Sequence, residues 1–140
     1  MPFYHQTAGK NVPRILAKGF EGDIWISDFK ELQYAQDQKL ASENPSDPLP
    51  GDFLLEIDIT VEIVEANDLS GKRRDGAWKI PGEILNRCLK PTVVKHDYED
   101  ETRESLLEDA EEQENSGNSY LADKYRNAVE VLDSIGWSTP

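Results

Sequence analysis

The chain has 140 residues, 37% hydrophobic and 31% charged, which is room for one domain with a modest core. Its formal net charge of −13 argues against a nucleic-acid backbone or an anionic membrane as a direct partner, since both are held by Lys and Arg. Cys88 is the only cysteine, and His5 and His96 are the only histidines, so neither a disulfide nor a metal site is expected.

Phe3-Tyr4-His5-Gln6-Thr7 reads as a short strand ending in polar groups. Val12, Ile15 and Leu16 then fall at helical spacing, so a helix is expected near residues 10–18, with Pro13 in its first turn and Gly19 closing it. A histidine at a strand end, beside a helix start, is placed either to meet a ligand or to serve as a structural hydrogen-bonder. Glu21-Gly22-Asp23 is a turn, and residues 23–26 form a second strand around Trp25. Ser27 or Asp28 can cap a helix over residues 28–42. Three prolines make residues 44–51 a stiff loop.

Residues 53–64 form the longest strand candidate. Leu55, Ile57, Ile59, Val61 and Ile63 alternate with Glu56, Asp58, Thr60 and Glu62, which predicts one packed face and one wet face. The Glu56, Asp58 and Glu62 row is either a carboxylate site or a solvated face. Lys72-Arg73-Arg74 is a basic loop tip that would attract a phosphate or simply be solvated. A strand is expected near residues 76–80, then a turn and short helix to Leu89, and a further strand over residues 91–96. Residues 97–114 hold ten acidic residues against Arg103, and read as either a charged surface helix or a disordered run. Leu121, Tyr125, Ala128, Val129 and Leu132 give a final helix near residues 119–135 one apolar face. The expected organisation is an α/β body over residues 1–95 and an acidic helical appendage over residues 96–140. No apolar run spans a bilayer and no charged-then-apolar signal opens the chain, so a cytoplasmic location is expected.

The order Tyr4-His5-Gln6-Thr7, helix, Gly19-Phe20, then Asp23-Ile24-Trp25-Ile26-Ser27 resembles the small ADP-ribosyltransferase-like domains of the diphtheria-toxin and poly(ADP-ribose) polymerase class. Gly51-Asp52-Phe53-Leu54-Leu55-Glu56-Ile57 and Ala77-Trp78-Lys79-Ile80-Pro81-Gly82-Glu83-Ile84-Leu85-Asn86 resemble the middle and closing stretches of its bacterial members. The resemblance covers residues 3 to about 90. It implies an α+β fold with a mixed, split sheet, flanking helices and a cleft between the halves, and NAD as the ligand. His5 would hydrogen-bond the nicotinamide-side ribose, the backbone of Gln6 would hold the carboxamide, and Trp25 would stack on nicotinamide. Thr7 and Ser27 complete the implied NAD contacts. The family's catalytic glutamate falls on or next to Ala77, a departure that leaves Asp75 and Glu83 as the candidate carboxylates. The resemblance thus implies transfer of ADP-ribose to a macromolecule. The alternative is a non-catalytic fold of the same type that engages a basic or nucleic-acid-binding protein, as an inhibitor, antitoxin or nucleic-acid mimic does.

Overall fold

The computed structural model describes residues 2–32, 51–71 and 77–137. Strand β1, Phe3–Thr7, turns through a short 3-10 segment, Gly9–Asn11, into helix α1, Val12–Lys18. Gly19 ends α1 at φ 88°, a left-handed conformation that side chains strain to adopt, and its N–H returns to the Ile15 carbonyl. Strand β2, Asp23–Ser27, follows. Residues 28–32 are not helical, against expectation, and the rest of the expected 28–42 helix lies outside the described residues.

Strand β3 is Phe53–Ile57, far shorter than the alternation suggested. Helix α2, Val61–Asn67, takes its place. The Thr60 hydroxyl accepts from the Ile63 N–H at 3.4 Å and caps the helix start, which overrides the β-branched run behind it. Alternation therefore stops at Ile59. Val61 and Ile63 are exposed, while Val64 is buried. The Glu56, Asp58 and Glu62 row dissolves with the strand, because Glu62 sits on α2. Strand β4, Ala77–Pro81, runs into the one-turn helix α3, Gly82–Leu85, and β5 is Thr92–His96.

The five strands form one sheet in the order β4-β2-β1-β3-β5, and every pairing is antiparallel rather than mixed. The pairings differ in extent. Each of β1–β3 and β2–β4 has five register pairs, whereas β1–β2 has Tyr4↔Ser27 alone. At the outer edge, β5 carries a register shift opposite Leu54 and Leu55, a bulge that blunts an otherwise open strand.

Residues 97–114 are largely helical. Helix α4, Arg103–Asn115, starts at a Thr102/Ser105 capping box, and α5, Ser119–Ile135, starts at Asn118. Arg103 at the start of α4 bonds Asp133 near the end of α5, so the two helices form an antiparallel hairpin. Leu106 from α4 and Ala128, Val129, Val131 and Leu132 from α5 join Phe3, Phe53, Leu55 and Ile57 in a single core. That core draws on residues from both sides of residue 95. Among the described residues, no helix is long and apolar enough to cross a membrane.

Candidate functional site

His5 sits where the sheet's pairing gives out. Its Nδ1 lies 2.8 Å from the Trp25 carbonyl oxygen, so the ring donates there from Nδ1–H and keeps Nε2 as an acceptor. The His5 side chain thus satisfies a β2 carbonyl at the seam with β1. Phe20 packs edge-on against the imidazole, with centroids 5.7 Å apart. Burial lowers the His5 pKa, only partly opposed by the Trp25 carbonyl, which holds the ring neutral near pH 7.

The residues around His5 and Trp25 approach this seam from two sides. Tyr4 pairs with Ser27, so alternation puts Tyr4, Gln6, Trp25 and Ser27 on one face and Phe3, His5 and Thr7 on the other. His5 and Trp25 are joined through the Trp25 backbone, and their side chains leave the sheet in opposite directions. Trp25 is 40% exposed, unlike its core neighbour Ile26, and carries Lys79 Nζ 5.9 Å from its ring centroid. Ser27 Oγ accepts from the Phe29 N–H at 3.4 Å.

The end of β1 is held from behind. Gln6 Nε2 donates to the Gly51 carbonyl at 2.6 Å, and Thr7 Oγ1 accepts from Asn11 Nδ2 at 3.1 Å. A Cβ on Gly51 would fall 2.4 Å from the Thr7 carbonyl carbon, so only glycine fits this approach. Of the candidate carboxylates, Asp75 lies outside the described residues. Glu83 is exposed in the first turn of α3, beyond the end of β4 where Pro81 pairs with Asp23. Ala77, where the resemblance would put a catalytic glutamate, pairs with Ser27 at the other end of that strand.

A second polar centre went unnoticed in the sequence. Asp52 is fully buried. One oxygen accepts from the Gly9 N–H at 2.8 Å and the other from the Tyr98 hydroxyl at 2.6 Å. Burial raises the Asp52 pKa against the pull of Tyr98, Lys124 and Gly9. Burial, with Asp52 beside it, also drives the Tyr98 phenol upward. Tyr98 and His96 stack at 6.3 Å, and His96 Nδ1 accepts from the Tyr98 N–H at 3.1 Å. The sequence signal was only an aspartate opening a strand after a proline-rich loop, and nothing local marks it as buried.

Among the described residues no cluster of His, Cys, Asp and Glu is arranged to hold a metal ion. No protein-family model matches the sequence, and no curated protein or solved structure matches it.

Proposed function

We propose that the protein is an ADP-ribosyltransferase-like protein that binds NAD at the seam between β1 and β2. The observation that carries this reading is the single β1–β2 register pair together with the His5 Nδ1 bond to the Trp25 carbonyl. A neutral imidazole fixed through Nδ1 presents Nε2 as an acceptor, which suits a ribose hydroxyl donor. Trp25 offers an exposed flat ring next to the same backbone group, which suits a nicotinamide face. The opposite directions of the two side chains require the ligand to lie across the seam rather than on one face of the sheet.

Transfer of ADP-ribose needs a carboxylate that steadies positive charge on the ribose as nicotinamide leaves. Ala77 cannot supply it, and Asp75 and Glu83 are the candidates that remain. Nicotinamide release by the purified protein tests this step. On this reading, release falls by about a hundredfold in whichever of Asp75→Asn and Glu83→Gln removes the working carboxylate. No release by the unsubstituted protein, with NAD still bound, would reduce the activity to binding.

A second reading rests on α4. Only Leu106 and Ala110 of this helix are buried, and Glu104, Glu108, Glu111, Glu112 and Glu114 stand exposed on it. Such a surface fits a basic protein partner. Binding to a basic protein that weakens with salt, and that is lost when these glutamates become glutamines, supports it.

A further inference from the structure

A groove of about 200 Å³ lies where the 3-10 segment after β1 meets α5. From α5 it is lined by Tyr120, Asp123, Lys124 and Asn127, and from the other wall by Gly9 and Lys10. The four α5 residues are spaced i, i+3, i+4 and i+7, so they form one stripe along the helix. Lys124 and Asn127 are half-buried where the stripe passes the 3-10 segment, whereas Tyr120 and Asp123 are exposed at its outer end.

The charges of the groove set it apart. Lys10 and Lys124 both line it, in a chain where acidic residues outnumber basic ones 28 to 15. Neither lysine makes an ion pair among the described residues. Lys124 acts on Asp52 electrostatically, but the Asp52 oxygens are committed to the Gly9 N–H and the Tyr98 hydroxyl. Asp123, the acidic residue of the lining, is drawn to Arg126 at 3.8 Å. Two lysines and an amide therefore line a space sized for a small anion.

We propose that this groove binds a phosphate group, either as free phosphate or as the phosphoryl end of a nucleotide. Lys10 and Lys124 supply the charge, and Asn127 supplies a neutral donor. The proposal stands independently of the NAD reading, because none of these residues belongs to the β1–β2 seam. The distant acidic charge of the chain opposes an anion at long range. At about 0.15 M salt that field is screened beyond roughly 8 Å, while contacts inside the groove survive.

The test is a phosphorus NMR titration of the full chain at physiological salt, with inorganic phosphate in one arm and adenosine monophosphate in the other. Saturable binding is expected in at least one arm. Lys10→Gln and Lys124→Gln should each weaken it about tenfold, the loss of one charge-assisted contact. Lys124→Arg should retain it, and Lys95→Gln, on β5, should leave it unchanged. Binding in both arms identifies phosphate itself as the recognised group; binding of the nucleotide alone assigns the groove to nucleotides. Lys10 is exposed, so Lys10→Gln gives a readable result even if the Lys124 variant folds poorly. Absence of binding in both arms, or affinity unchanged in Lys10→Gln, overturns the proposal.

Discussion

The molecule holds two polar centres, one at Asp52 and one at His5, and they are finished differently. At Asp52 both carboxylate oxygens are taken, one by the Gly9 N–H and one by the Tyr98 hydroxyl, and the group is fully buried. At His5 only Nδ1 is engaged among the described residues, and the half-buried ring keeps an acceptor atom at a seam where the sheet has a single register pair. A completed network holds a fold together. A ring fixed through one nitrogen and available through the other can both hold the fold and meet a ligand. The difference separates structure from function more sharply than residue type does, since a histidine and an aspartate are equally suspect in sequence.

Breaking the completed centre should cost most. Asp52→Ala leaves a buried N–H and a buried hydroxyl without their acceptor, and should destabilise the protein by about 3 kcal/mol in a denaturant titration. Tyr98→Phe removes one donor and leaves the carboxylate bonded to Gly9, so about 1–2 kcal/mol is expected. If Asp52→Ala melts like the unsubstituted protein, the centre is not structural and the contrast fails.

His5→Gln should cost less stability, about 1 kcal/mol or below, because it affects one side chain-to-backbone bond at a partly open seam. Thermal melting without ligand reads this directly. A loss as large as that of Asp52→Ala would make His5 a structural residue of the same kind.

The smallest effect is the pH dependence, and it has opposite signs at the two centres. Burial lowers the His5 pKa from its ordinary value near 6.5, so the unfolded chain binds the proton more readily. Stability from this group is therefore full above pH 6.5 and declines as pH falls toward the depressed value. His96 is lowered by burial too and acts in the same sense. Burial raises Asp52 above 3.8, so the folded chain holds that proton more tightly. Its contribution is present below the ordinary carboxylate value and is lost as pH rises through the raised one. Melting temperature followed from pH 7.5 downward should fall less steeply in His5→Gln below pH 6.5. An unchanged slope would mean that His5 is not held neutral.

The sequence revealed the elements better than it revealed their limits. β1, α1, β2, β4, β5 and α5 were legible because each carries a local signal, such as the helical spacing of Val12 and Ile15 before Gly19. The end of β3 was not, because Val61 and Ile63 continue the alternation of Leu55, Ile57 and Ile59, and only the Thr60 cap marks the change to a helix. The partnership of the last helices with the sheet was not legible either. Leu106 looks like the thin apolar content of an acidic run and Leu132 like one face of a terminal helix, and their burial in one core with Phe53 and Leu55 is a long-range fact. His5 and Trp25 stand out in the sequence by residue type and order, but the parity that turns their side chains to opposite faces depends on the Tyr4↔Ser27 register. Asp52 was missed because a carboxylate's partners at Gly9 and Tyr98 lie 43 and 46 residues away.

The most direct test of the NAD site is calorimetric titration of NAD into the unsubstituted protein and into His5→Gln, each first shown to be folded by its melting curve. Binding to the unsubstituted protein, weakened about tenfold in His5→Gln with little change in melting temperature, is the predicted result. No heat from the folded, unsubstituted protein at millimolar NAD, or equal affinity in the two proteins, would contradict it.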